Sequence, residues 1–166
     1  MGLFDKSTIE KEIKENFNAN SNQVISILGN VCNQNKLKNI FANYEVGTVF
    51  HAAAYKHVAM QEEFPWEAIK TNVNGTSNLV KLSIEHNTEK FVLVSTDKAV
   101  RPINVMGATK RLAELICQGA DENCKTDFMA VRFGNVLGSS GSAIPTFQKQ
   151  INDGGPLTIT HPEMTR

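Results

Sequence analysis

The chain has 166 residues and 41% of them are hydrophobic, which suits one globular domain of ordinary size. Its 17 basic residues balance 17 acidic ones, so no net charge attracts the chain to nucleic acid or to an anionic membrane surface. The 3 cysteines lack the spacing of a metal site and no apolar run approaches the roughly 20 residues of a membrane span, so we expect reduced thiols, no bound metal and a cytoplasmic location.

Short apolar runs rich in β-branched and aromatic residues alternate with longer helical patterns along the chain. This alternation predicts the α/β class, with a parallel sheet covered by helices on both faces. The predicted strands are residues 2–5, 24–28, 48–51, 91–94 and 128–132. The predicted helices are residues 7–17, 37–41, 65–87 and 105–122, and a last helix that ends at Gly154 and Gly155.

Capping and turn residues support two of these helices. Ser7 and Glu10 have the spacing of a capping box, in which each side chain binds a backbone N–H at the start of a helix. Pro65 suits a first helical turn, because its fixed backbone angle is helical and its missing N–H is not needed there.

Ligands of open parallel sheets bind beyond the carboxyl ends of the strands, so we expect functional side chains directly after each strand or at the start of the next helix. Four segments fit this expectation: 50–57 (FHAAAYKH), 95–99 (STDKA), 106–110 (MGATK) and 132–138 (RFGNVLG). Lys110 lies four residues after Met106, which places the two side chains on one face of a helix, one turn apart.

In this order and with these separations, the four segments resemble the extended short-chain dehydrogenase/reductases. The resemblance is closest to the polysaccharide-biosynthesis (CapD-like) branch, which dehydrates UDP-N-acetylhexosamines for bacterial surface polysaccharides such as capsule and O-antigen. It covers residues 5–166, and its most specific stretch is 95–111, STDKAVRPINVMGATKR. The resemblance implies a partial NAD(P)-binding Rossmann-like domain over residues 1–166, with the substrate-binding region beginning at about residue 139.

The resemblance implies a lyase reaction with an internal redox cycle. Hydride passes from C4 of the hexose to the nicotinamide, water is eliminated across C5 and C6, and the hydride returns to C6 to give a 4-keto-6-deoxy sugar. By the same resemblance, Asp97 is the general acid on the departing 6-hydroxyl and Lys98 is the base at C5. Thr96 would hydrogen-bond the 4-oxygen.

Met106 and Lys110 occupy the two positions of the family's Tyr-x-x-x-Lys pair. In the family the lysine binds the nicotinamide ribose and lowers the pKa of the tyrosine, which then acts as a base. A thioether cannot take a proton, so the usual base is absent here. A methionine at this position is known in the large, membrane-associated members of the branch, so Met106 points to that subgroup as much as to lost activity. The 4-hydroxyl proton must then go elsewhere, and Asp97 or Lys98 is the nearest candidate in the sequence.

The resemblance also implies binding residues for NAD or NADP and for a UDP-sugar substrate. The residues implied for the cofactor are Asp5, Asn30, Val31, Ala52, Ala53, Ala54, Asn72, Ser95, Lys110 and Arg132. The residues implied for the substrate are Lys56, His57, Asn135, Ser142 and Arg166. Asn30 departs from the aspartate that the family usually places near the adenine.

The glycine-rich loop that receives the pyrophosphate in this fold, G-x-x-G-x-x-G, does not occur in the sequence. We therefore expect a chain that starts at the second strand of the family fold and is inactive alone. The missing first strand is central in the order 3-2-1-4-5-6, so its loss would leave exposed sheet edges through which copies of the chain could associate.

Other interpretations of the same residues stay open. Within the enzyme class the alternative is a UDP-sugar epimerase, because the same hydride abstraction serves both reactions. A non-catalytic UDP-sugar-binding remnant and a self-associating protein are the alternatives outside it. Locally, Asp97 and Lys98 also suit a solvated turn, and Met106 and Lys110 also suit a helix with a core methionine and an exposed lysine.

Overall fold

The computed structural model describes Glu15 and residues 24–122, 124–134 and 143–157. Three parallel strands form a sheet in the order β1-β2-β3, where β1 is Thr48–His51, β2 is Lys90–Thr96 and β3 is Asp127–Phe133. All three were predicted, and β2 and β3 are each longer than predicted. The α/β class with a Rossmann-like parallel sheet is confirmed.

Helices lie between consecutive strands, as parallel pairing requires, and one further helix precedes β1 and another follows β3. They are α1 (Gln34–Asn43), α2 (Val58–Glu63), α3 (Pro65–Ala68), α4 (Gly75–Glu85), α5 (Val105–Asp121) and α6 (Ala143–Asn152). A π-helical stretch, Ile69–Asn74, joins α3 to α4, so the helix predicted over residues 65–87 is one continuous element with a widened turn inside it. The short helix α2 was not predicted.

The core lies between the sheet and helices α1, α4 and α5. Phe91 and Leu93 of β2 are fully buried, because their side chains point to the face on which α4 and α5 pack. The other buried members of this core are Leu37, Phe41, Leu79, Val80, Leu82, Ala113 and Cys117. Burial of these apolar side chains on one face fixes the register of the strands, since a one-residue slip would turn them to the other face.

The opposite face of the sheet is less covered in the described part of the chain. Phe50, Val92 and Met129 form one row across the three strands, and Phe50 is 74% exposed. Val94 and Val131 form a second row on the same face. These described residues therefore form an apolar surface beside the functional end of the sheet.

The strand predicted at residues 24–28 is wrong for this structure. Residues 24–30 form no secondary structure, and Ile25 and Leu28 are 60% and 92% exposed. An apolar, β-branched run becomes a strand only where a neighbouring strand takes its backbone hydrogen bonds, and residues 24–30 pair with none of the three described strands. The predicted strand at 2–5 and the predicted helix at 7–17 lie outside the described residues, apart from Glu15, which is helical.

Among the helices that the structure describes, none combines the length and the apolar character needed to cross a bilayer.

Candidate active site

Three residues with reactive or hydrogen-bonding side chains, Thr96, Asp97 and Lys98, lie together where β2 ends. Residues Asp97–Ala99 form a 3-10 turn, and the Thr96 hydroxyl caps it by accepting a hydrogen bond from the Lys98 backbone N–H. The same hydroxyl donates to Asp97 Oδ1 over 2.9 Å, and Lys98 Nζ donates to that oxygen over 3.2 Å. The turn thus holds a carboxylate and an ammonium side by side at the carboxyl end of the central strand.

The electrostatics of this turn favour an ionised carboxylate. The hydroxyl of Thr96 and the ammonium of Lys98 hold the pKa of the Asp97 carboxyl below its ordinary value. Asp97 is exposed, and Lys98 is partly buried. Two hydrogen bonds therefore organise the pair in contact with water, an arrangement that also agrees with the solvated turn that the sequence allowed.

The first turn of α5 packs directly against the turn Asp97–Ala99, which is called the catalytic turn because the family resemblance assigns the acid and the base to it. Asn104 caps α5 by accepting from the Gly107 N–H over 2.7 Å, and Glu62 accepts from the Val105 N–H over 2.6 Å. A Cβ at Gly107 would lie only 2.5 Å from the backbone oxygen of Lys98. Glycine at this position is what allows helix and turn to approach so closely.

Met106 and Lys110 are both buried on the inner face of α5, with 6% and 7% of their surface exposed. The Lys110 ammonium donates to the backbone oxygen of Val94 in β2 over 2.5 Å. Burial lowers the pKa of Lys110, and the nearby Glu114 carboxylate opposes that shift. The expectation that both side chains share one face is confirmed, and the alternative with an exposed lysine is wrong because the helix turns that face towards β2.

Asn72 connects three parts of the site from inside the π-helical stretch. Its Oδ1 accepts from the Tyr55 backbone N–H over 2.9 Å, and its Nδ2 donates to Thr109 of α5 over 3.0 Å and to Gln61 of α2 over 3.1 Å. Asn72 is 1% exposed. The π-helical turn, a feature common at functional sites, is where the chain places this amide between the loop after β1 and helix α5.

The loop after β1 contains the predicted residues 52–54, Lys56 and His57. Ala52, Ala53, Lys56 and His57 are exposed and Ala54 is partly buried. Gln61 holds the loop by donating to the backbone oxygen of Tyr55 over 3.0 Å. The loop therefore presents small and polar side chains at the same edge of the sheet as the catalytic turn.

The remaining predicted residues lie apart from this cluster or outside the described residues. Asn30 is exposed, and Val31 packs against α4, where a Cβ at Gly75 would lie 2.6 Å from its Cγ2. Ser95 is buried and Arg132 is exposed, and both donate hydrogen bonds to the carboxylate of Glu114. The residues outside the described part of the chain are Asp5, Asn135, Ser142 and Arg166.

Glu114 of α5 is a buried carboxylate that was not predicted as a site residue, and it is 2% exposed. It accepts from Ser95 Oγ over 2.5 Å, from Arg132 Nε over 2.8 Å and Nη2 over 2.6 Å, and from Arg111 over 2.9 Å. The hydrogen bonds from Arg132, and then those from Ser95 and Arg111, lower the pKa of Glu114 to about 2. Its position four residues after Lys110, on the buried face of α5, was the available signal, since carboxylates are rarely buried without partners.

His51, at the end of β1, is a core residue. It is 3% exposed, its Nε2 lies 2.9 Å from the hydroxyl of Thr76, and its ring packs edge-on against Phe91. Because Thr76 donates its own proton to the Asn72 backbone oxygen, the imidazole donates from Nε2. Burial, aided by the charge of Lys110, lowers the pKa of His51 to about 4, so the ring is neutral near pH 7.

One protein family matches nearly the whole length of this chain. The family model described as "Polysaccharide biosynthesis protein" matches residues 4–166. The chain belongs to this family. The match spans the sheet, the catalytic turn and α5, so the family resemblance inferred from the four segments is confirmed.

Similar proteins carry dehydratase, epimerase and capsule-synthesis names. The Capsular polysaccharide biosynthesis protein CapD of Staphylococcus aureus is 48% identical over 96% of this chain and 26% of its own length. A UDP-N-acetylglucosamine 4,6-dehydratase (inverting) of Campylobacter jejuni is 40% identical over 89% of this chain and 45% of its own. A UDP-glucose 4-epimerase of Rickettsia akari is 47% identical over 73% of this chain and 36% of its own.

A solved structure, Pen from Bacillus thuringiensis, superposes on 89% of this chain and 45% of its own, with a TM-score of 0.77 and 36% identity. The chain therefore spans between about a quarter and a half of the length of these proteins. It matches a nucleotide-sugar dehydratase and an epimerase alike, which places it in an epimerase/dehydratase family of polysaccharide biosynthesis.

Proposed function

We propose that this chain carries the acid–base centre of a nucleotide-sugar 4,6-dehydratase that acts on a UDP-N-acetylglucosamine-type substrate. The observation that carries the proposal is the direct hydrogen bond, 3.2 Å long, between Lys98 Nζ and Asp97 Oδ1 at the carboxyl end of β2. Elimination of water needs a proton donor for the leaving oxygen and a base for the C5 proton. Adjacent carboxyl and amine groups can supply both.

The pair can also carry the protons of this reaction. Thr96 and Lys98 hold the pKa of the Asp97 carboxyl low, so the carboxylate is ionised in the free protein and can accept a proton. It would take the 4-hydroxyl proton as the hydride leaves C4, and would give that proton to the 6-oxygen as the C6–O bond breaks. Lys98, acting in its neutral form, would take the C5 proton as the C5–C6 double bond forms and return a proton to C5 when the hydride adds to C6. Thr96 hydrogen-bonds the 4-oxygen.

A nicotinamide dinucleotide, NAD or NADP, is the cofactor of the proposed reaction, and it accepts and returns the hydride when bound. The described residues fit its nicotinamide-ribose end. The Lys110 ammonium uses one N–H on the Val94 backbone oxygen, which leaves two N–H groups for ribose hydroxyls. The small side chains of 52–54 leave the backbone after β1 open to close approach. A pyrophosphate-binding glycine loop is not part of the 166 residues.

The proposed UDP-sugar would lie across the carboxyl edge of the sheet. Lys56 and His57 are exposed in the loop after β1, where they can meet its polar groups. By the family resemblance, Asn135, Ser142 and Arg166 would bind the same substrate, and the substrate-binding region would begin at about residue 139. The family and the CapD relative support a role in capsule or O-antigen synthesis.

The test is conversion of UDP-N-acetylglucosamine with NAD or NADP in deuterated water, followed by NMR and mass spectrometry. Because the 166 residues are expected to be inactive alone, this assay and the other activity measurements use them joined to a pyrophosphate-binding glycine loop. A dehydratase gives a 4-keto-6-deoxy product that carries deuterium at C5, because the base exchanges the C5 proton with solvent. Asp97→Asn and Lys98→Gln should each lower kcat by about 100-fold or more, the scale expected for an acid or a base. Asp127→Asn and Lys81→Gln change exposed residues outside the site and serve as matched controls.

The alternative is a C4 epimerase, which the Rickettsia relative's name favours. An epimerase would interconvert the 4-hydroxyl configurations without solvent deuterium at C5 and without loss of water. A C4-epimeric product with an unlabelled C5 would replace the dehydratase proposal with that activity.

A further inference from the structure

We infer that Glu114 is a positioning residue that sets the ends of β2 and β3, and through them the geometry of Asp97 and Lys98. This inference rests on the proposed dehydratase function for its catalytic consequence. Its structural basis is a set of hydrogen bonds that join one helix to two strands.

Glu114 binds the two strands at the same level of the sheet. Ser95 of β2 and Arg132 of β3 are direct register partners, and Glu114 accepts hydrogen bonds from both. The next register pair is Thr96 with Phe133, after which the catalytic turn begins. The Glu114 carboxylate therefore binds the second-last residue pair of the two strands, directly before the segment that carries the proposed acid and base.

The end of β3 is in turn close to the acid. A Cβ at Gly134, the residue after β3, would lie 3.5 Å from Asp97 Oδ2. A shift of β3 against β2 would therefore change the space beside this carboxyl. Displacements of about 1 Å in positioned groups can cost about 100-fold in rate. Hydrogen bonds from Glu114 that hold β2 and β3 in place should therefore have a large effect on catalysis.

The arrangement requires a carboxylate. Both oxygens of Glu114 accept two hydrogen bonds each, and all four donors are N–H or O–H groups. A glutamine would turn an NH2 group towards at least one of these donors and lose the bidentate contact with Arg132. Arg111, by contrast, donates once from the same helix and does not connect α5 to the sheet.

The experiment compares Glu114→Gln with Arg111→Gln in two measurements. Steady-state kinetics with UDP-N-acetylglucosamine should show a kcat lowered at least tenfold in Glu114→Gln with KM changed less than threefold, and a kcat within threefold of wild type in Arg111→Gln. Amide NMR spectra of the protein without ligand should show shifts at 96–98 and Gly134 in Glu114→Gln only. A merely stabilising role would lower the unfolding temperature in both variants without these effects.

A folded Glu114→Gln protein with unchanged kcat, or with amide shifts confined to α5, overturns the inference. If that variant does not fold, Ser95→Ala removes one of the four hydrogen bonds, and unchanged amides at 96–98 in it likewise overturn the inference. If the wild-type residues joined to a glycine loop make no 4-keto product, that result counts against the dehydratase proposal, while the NMR comparison still decides the role of Glu114.

Discussion

Arg132 of β3 and Glu114 of α5 form a bidentate ion pair, with Nε 2.8 Å from Oε1 and Nη2 2.6 Å from Oε2. The carboxylate is buried, whereas the guanidinium is partly open to solvent, with 39% of its side chain exposed. The arginine can thus stay hydrated on one side while it compensates the buried charge. This pair joins the helix that carries Lys110 to the strand next to the catalytic turn.

Acid should destabilise the protein through Glu114. Its folded-state pKa of about 2 lies below the ordinary 4.5, so the stability it contributes is complete above pH 4.5 and is lost as the pH falls towards 2. The expected loss is about 3 kcal/mol, and Glu114→Gln should show none of it. Urea unfolding from pH 5 to pH 2 measures this, and parallel pH profiles for the two proteins would contradict it.

His51 should produce a second, separate pH dependence. Its folded-state pKa of about 4 lies below 6.5, so protons bind preferentially to the unfolded chain and stability falls as the pH drops from 6.5 to 4. The expected loss is about 3 kcal/mol. His51→Gln should remove this dependence in the same unfolding experiment. His86→Gln, at an exposed position, should leave it in place.

Gly107→Ala should be destabilising although alanine favours helices. The new Cβ would meet the Lys98 backbone oxygen at 2.5 Å, so α5 or the catalytic turn must move. We expect a loss of about 1–3 kcal/mol, together with a lower kcat because Lys98 shifts. Gly119→Ala is the matched control on the same helix, where a Cβ meets nothing within 4 Å, and it should stabilise by up to about 1 kcal/mol. Thermal unfolding of the two variants should therefore show opposite signs.

Asn72→Leu should cost about 2–4 kcal/mol, because it leaves the Tyr55 N–H without its acceptor and Thr109 and Gln61 without their donor. The loop after β1 should also become more mobile. Asn74→Leu, at an exposed position in the same π-helical stretch, should change stability by less than about 0.5 kcal/mol. Hydrogen exchange at the Tyr55 amide checks the local effect, and equal protection in both variants would count against it.

The strands and the catalytic turn were predictable because their signals are local. The residues of β1, β2 and β3 have apolar runs of strand length, and the residues after β2 belong to a motif whose order along the chain identifies the family. The one-turn spacing of Met106 and Lys110 also placed both side chains on one face of α5 correctly.

Other features depend on which residues the fold brings into contact, and a local sequence pattern does not show those contacts. Residues 24–28 have the composition of a strand and form none, because strand formation requires a neighbouring strand and these residues pair with none of the three described ones. The burial of Lys110 and the ionised state of Asp97 depend on the atoms packed around each group. Those atoms come from β2, α5 and the catalytic turn.

The sequence alone determined the fold class, which follows from the alternation of strand and helix patterns, and the family, which follows from the resemblance of four ordered segments. The same resemblance supplies the proposed acid–base residues. The tertiary structure decided that Asp97 and Lys98 share a hydrogen bond, that Lys110 is buried, and that Ser95 and Arg132 meet at Glu114. Hydrogen bonding and desolvation act over distances of a few ångströms between residues that lie far apart along the chain, 19 positions in the case of Ser95 and Glu114, so only the folded chain brings these groups together.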